Sequence, residues 1–285
     1  MQLGSLSRWL KRDVPVFEGE LFTASVDGAG KDVLLVHGLA ASPECWDEAG
    51  EYLGPGVRTH AIHMRGFSGL AASGFRSPMN FLKPMADALA GYIRTQRIGP
   101  VAIAGHSMGG LVSLILARDH ADVVDRVMVA DVPAYFSVLI TPFATPTAMA
   151  PLAQHSRRTY MDKSKPELQD ELRRTSEKLV RDPANVARLV RWGMASDRQT
   201  TADVMAEVMV TDLRNDMQRI EAPVDVVYAW DRVSPVSKLA LDQVYASSYA
   251  GLRQGRKLRL DDCRHYLMID QPAAFYSAVN EWLKR

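Results

Sequence analysis

Residues 32–36 (D-V-L-L-V), beyond the opening Asp32, and 101–104 (V-A-I-A) are apolar with no alternation, the pattern of a strand covered on both faces, as in a parallel sheet. Residues 57–64, 125–130, 224–228 and 257–260 add further strands. A loosely alternating stretch over 14–26, around Phe17, Leu21 and Phe22, predicts an edge strand that turns at Asp27-Gly28-Ala29-Gly30. Helical spacing lies between the strands. Residues 79–98 place Phe81, Leu82, Met85, Leu89, Tyr92 and Ile93 on one side, and 111–117 reads as a buried helix. A closing helix after Pro272 buries Phe275, Tyr276, Val279, Trp282 and Leu283.

The alternation breaks between residues 135 and 219. Residues 137–155 are apolar, hold three prolines and predict no single regular helix. Three helices with a polar outer face follow, over 167–181, 184–194 and 201–213. The chain therefore predicts an α/β class: a mostly parallel, twisted central sheet flanked by helices, with an inserted helical cap. The expected organisation is core over 1–134, cap over 135–219 and core again over 220–285, with 1–13 as a surface lead-in.

Candidate chemistry gathers where predicted strands end. Residues 105–109 read G-H-S-M-G between a buried strand and a buried helix, so Ser107 falls on a sharp strand-to-helix turn with glycines two before and two after it. His37-Gly38-Leu39 follows the strand at 32–36, and Asp131 follows the one at 125–130. Asp231 follows the one at 224–228, and His265 lies in the loop after the last. In open parallel sheets these carboxyl ends are where ligands bind.

In this G-x-S-x-G context, over about residues 17–134 and 220–285, the chain resembles the α/β-hydrolase superfamily and its serine esterases. The resemblance implies a Ser-acid-His order, carried here by Ser107, Asp231 and His265, with Asp131 as the alternative acid. It also implies an oxyanion hole made by the backbone N–H groups of Leu39 and Met108. The 65–69 loop (R-G-F-S-G) resembles the family's D-x-R-G-x-G loop, with His63 where that pattern has Asp. His37 and His63 read as bracing residues and Asp262 as a turn residue.

Lys and Arg total 34 against 33 Asp and Glu, so no bulk field favours nucleic acid or an anionic membrane. No apolar run reaches the roughly 18 residues of a membrane span, and the absence of a signal-like stretch predicts a cytoplasmic location. Cys45 and Cys263 form neither a disulfide framework nor a metal cluster and read as buried thiols. With no H-x-H or H-E-x-x-H pattern, neither a metal nor another cofactor is expected.

The expected activity is hydrolysis of carboxylic esters with small to medium acyl chains, through an acyl-enzyme, on a small-molecule substrate. Leu139, Ile140, Phe143 and Met149 are expected to line its pocket. The same triad would serve a hydrolase of C–C bonds, lactones or amides, or an acyltransferase. A non-hydrolytic ligand receptor is the alternative of another class.

Overall fold

The computed structural model describes residues 16–74 and 79–285, so the lead-in at 1–13 lies outside the described residues. Among these, eight strands form one sheet: β1 (Val16–Glu18), β2 (Phe22–Gly28), β3 (Gly30–Val36), β4 (Gly56–Met64), β5 (Val101–His106), β6 (Val124–Ala130), β7 (Val224–Trp230) and β8 (Lys257–Asp261). Their order is β1-β2-β4-β3-β5-β6-β7-β8. Only the β1–β2 and β2–β4 pairs are antiparallel.

Side chains of a strand alternate between faces, and β3 shows why its sequence does not alternate in polarity. Leu34 and Val36 enter one buried cluster, while Val33 and Leu35 enter the other. On the first face lie α2 (Leu82–Gln96), α3 (Met108–Asp119) and α8 (Lys238–Ser248). The second face is covered by α1 (Ala49–Tyr52), α9 (Leu267–Asp270) and α10 (Pro272–Lys284), with Trp46, Trp192 and Trp282 as its largest buried groups.

Four helices lie between β6 and β7: α4 (Pro146–Asp162), α5 (Lys165–Leu179), α6 (Pro183–Ala195) and α7 (Arg198–Val210). The prolines of 137–155 do not prevent helix formation after Thr145. Thr145 caps α4 through its side chain, Pro146 occupies the first turn where no N–H is needed, and only Pro151 sits inside the helix. A short 3-10 turn, Phe136–Leu139, precedes it.

The inserted helices are fastened to the core by Glu207 of α7. Its buried carboxylate accepts hydrogen bonds from the N–H groups of Phe81 (2.7 Å) and Leu82 (3.1 Å), which begin α2. Burial raises its pKa, and the two backbone donors partly offset that. Glu207→Ala would leave both donors dry and unpaired. We expect it to lower stability by about 2 kcal/mol, read as a lower urea midpoint at an unchanged slope.

Candidate active site

The sheet register sets the site. β3 pairs Val36 with Gly105 of β5, and β5 pairs His106 with Ala130 of β6. Continued two steps past Val36 and one past the His106–Ala130 pair, this register sets Gly38, Ser107 and Asp131 at one level on the carboxyl edge. The Ser107 N–H donates to the Ala130 carbonyl at 2.8 Å, and the Asp131 N–H to that of Val227 at 2.8 Å.

Ser107 has φ 53° and ψ −122°, a conformation that L-residues adopt only under constraint. The constraint is close packing of backbone against backbone. A Cβ on Gly109 would lie 2.4 Å from the Val36 carbonyl oxygen, and one on Gly105 would lie 2.2 Å from that of Gly109. These two positions must be glycine for α3 to start so close to the sheet. Met108 is the first residue of α3, where backbone N–H groups have no intrahelical acceptor, so its amide is free to serve a ligand. Leu39 lines the same cavity as Ser107. A Cβ on Gly38 would come within 3.1 Å of the Ser107 Cβ, so this loop lies directly against the serine.

His265 also lines that cavity. Its Nδ1 lies 2.8 Å from Oδ2 of Asp131. The other carboxylate oxygen of Asp131 accepts from the Ala229 N–H at 2.8 Å and the Tyr245 hydroxyl of α8 at 3.2 Å. A carboxylate only accepts, so the proton of the neutral imidazole resides on Nδ1 and the Nε2 lone pair is left free. Such an arrangement can take a proton from a hydroxyl and return it to a leaving group.

The expectation that Asp231 would hold this histidine is not met. The β6–β7 ladder pairs Ala130 with Val227, which sets Tyr228 beside Asp131, and β7 runs on to Trp230. Asp231 is thus three residues farther along, roughly 10 Å at the rise of a strand. It is 5 % exposed, its Oδ1 accepts from the Val233 N–H at 3.0 Å, and its Oδ2 lies 3.2 Å from Nε of Arg181.

The proposed pocket residues are corrected too. Phe143 is 87 % exposed, Leu139 and Ile140 are exposed, and Met149 is buried against Tyr135, Ala153, Ala206 and Met209. Met149 and Ala153 of α4 pack on Ala206 and Met209 of α7, and of α4 only Tyr160 reaches the cavity wall. The cavity beside Ser107, about 320 Å³, is walled instead by α5, α6 and α7, through Leu172, Leu179, Leu189 and Met205, with Phe136 and Tyr266. Its signal in the sequence was the leucine stripe of 168–179, which marks an inner face without saying what that face touches.

Three histidines close to the site, His37, His63 and His106, hold backbone groups of neighbouring loops. His37 Nδ1 bonds the Gly38 carbonyl at 2.7 Å and its Nε2 accepts from the Met64 N–H at 3.2 Å. Burial lowers its pKa to about 3. His63 Nε2 donates to the Phe67 carbonyl at 2.9 Å. His106 is buried, which drives its pKa well down, and its Nε2–H donates to the His265 carbonyl at 3.0 Å. Cys45 and Cys263 are free and buried, and burial pushes the Cys263 thiol up to about 12. Among the described residues no helix is long and apolar enough to cross a membrane.

A family model described as the alpha/beta hydrolase family matches residues 33–278. A pimeloyl-[acyl-carrier protein] methyl ester esterase from Aromatoleum aromaticum is 26% identical over 259 residues, covering 85% of this chain and 93% of its own. A hydrolase of Pseudomonas aeruginosa PA01 superposes with a TM-score of 0.77 at 19% identity, over 96% of this chain and 99% of that one. A malate-bound thermophilic esterase from Thermogutta terrifontis has a TM-score of 0.73 at 21% identity, over 92% and 94% of the two chains.

Proposed function

Because the chain belongs to the alpha/beta hydrolase family, we propose that it is a serine esterase whose nucleophile is Ser107, whose general base is His265 and whose triad acid is Asp131. The observation that carries this reading is the 2.8 Å contact of His265 Nδ1 with Asp131, made beside a cavity that both His265 and the strained Ser107 line. The esterase relative from Aromatoleum aromaticum, similar over most of both chains, supports the reaction type.

Ser107 Oγ attacks the ester carbonyl as His265 Nε2 takes its proton. The charge that develops on the carbonyl oxygen is met by the N–H groups of Leu39 and Met108, a contribution of about 3 kcal/mol per donor. The carbonyl then reforms, the ester C–O bond breaks, and the imidazolium returns its proton to the departing alkoxide. Water attacks the acyl-enzyme with the same histidine as base, releasing the acid and restoring Ser107. Throughout, Asp131 fixes the tautomer and stabilises the imidazolium. The inserted helices act as a cap that excludes water from the acyl chain.

A cavity of about 320 Å³ is at the small end for ligand sites and mostly apolar, which favours short to medium acyl chains. We therefore expect kcat/KM on p-nitrophenyl esters to be highest at about four to eight acyl carbons and to fall at least about tenfold by sixteen. Steady-state assay of the ester series checks this. Turnover no faster than that of Ser107→Ala across the whole series would refute the esterase reading and favour a ligand receptor.

A further inference from the structure

The loop that carries His265 is tied on both sides of the histidine to the last turn of α5. Arg264 Nη1 donates to the carbonyls of Glu177 (2.5 Å) and Val180 (2.9 Å). On the other side, the Tyr266 N–H donates to the Leu179 carbonyl at 3.2 Å. These acceptors belong to a helix C-terminus, where carbonyls lack intrahelical donors and the helix dipole favours a cation. Asp270 closes the ring, accepting from the Arg264 N–H (2.9 Å) with one oxygen and from the Arg181 N–H (3.0 Å) with the other.

Asp231 is the anion at the centre of this joint. Its buried Oδ2 lies 3.2 Å from Arg181 Nε and 3.8 Å from Arg264 Nε. Arg181 also reaches the Asp262 carbonyl in the same loop. Ser176 and Leu179, in the final turns of α5, are wall residues of the cavity beside Ser107. One short segment of the inserted helices thus borders both the cavity beside Ser107 and the loop that carries His265.

We propose that Arg264, neutralised by Asp231, is a positioning residue for His265: it anchors the general base to the α5 wall of the substrate cavity. This rests on the assignment of His265 as the base. Arg264 does not reach the reacting atoms; it acts by setting the loop, and a shift of about 1 Å in a catalytic group can cost on the order of 100-fold in rate.

The test compares Arg264→Gln, Arg264→Lys and Asp231→Asn with the wild type, using p-nitrophenyl butyrate kinetics and the far-downfield proton resonance of the His265 Nδ1–H, assigned by its loss in Asp131→Asn. Arg264→Gln is expected to lower kcat by roughly 10- to 100-fold with KM within about threefold, and to broaden or shift that resonance. Arg264→Lys, which keeps a cation on the carbonyls, should recover much of the loss. Asp231→Asn should cost about tenfold in kcat, and it carries the test if Arg264→Gln does not fold. A folded Arg264→Gln or Asp231→Asn with wild-type kcat and an unmoved resonance overturns the proposal, as does a change confined to KM. A wild type that shows the resonance but cleaves no ester would instead overturn the esterase reading, and the resonance would still report on Arg264.

Discussion

Asp131→Asn is expected to lower kcat by about 10⁴-fold while leaving the fold and KM nearly unchanged. The carbonyl oxygen of asparagine can keep the bonds that Asp131 Oδ1 accepts from the Ala229 N–H and the Tyr245 hydroxyl. Its amide NH₂ would then face His265 Nδ1, where the carboxylate oxygen now sits at 2.8 Å. A donor there forces the imidazole proton onto Nε2, and an Nε2–H cannot accept the serine proton. The damage is to the tautomer and to imidazolium stability, not to packing. Asp231→Asn, by contrast, should cost only about tenfold, through the joint it balances. Steady-state kinetics on the two variants reads the contrast directly. The reverse ranking would return the acid role to Asp231.

The second large effect separates activity from stability. Ser107→Ala and Ser107→Gly should both lose at least about 10⁴-fold in kcat, since neither has a hydroxyl to attack. They should differ in stability. Alanine keeps a Cβ at φ 53°, ψ −122° and so retains the strain, whereas glycine relieves it. Relief worth roughly 1–3 kcal/mol, less the roughly 0.5–1 kcal/mol lost to the freer unfolded glycine, leaves Ser107→Gly more stable than Ser107→Ala by about 1 kcal/mol. Urea denaturation of the two inactive proteins measures this. Equal midpoints would mean that the turn carries no strain for catalysis to use.

Both assignments bear on what the chain disclosed before folding. The strands were legible because residues 33–36 of β3 and 101–104 of β5 are apolar at every step, and only burial on both faces tolerates that. Ser107 and His265 were legible because glycine spacing and position after the last strand are local properties. The carboxylate that meets His265 was not, because it depends on how far one strand overhangs its neighbour. Residues 224–228 look like a complete strand, yet Ala229 and Trp230 extend it, and the β6–β7 register then leaves Asp231 beyond reach while Asp131 stands level with Ser107. Both aspartates follow strands, and only pairing distinguishes them.

The cavity wall was hidden for a related reason. Apolarity in 137–155 marks surfaces that need cover, but it does not say which element supplies it. Met149 is covered by α7, Phe143 stays in solvent, and the leucines of α5 and α6, which sequence spacing treats as ordinary inner-face residues, border the serine. Arg264 gave no signal at all: one cation among 34, it matters only because the end of α5 arrives beside it.

The central claim is that Ser107 is an activated nucleophile, and covalent labelling tests it most directly. After treatment with a fluorophosphonate, intact-mass spectrometry should show one adduct on the wild type and none on Ser107→Ala, with the rate of adduct formation falling in Asp131→Asn. A folded wild type that takes up no adduct, or a Ser107→Ala protein labelled as fast as wild type, would contradict it.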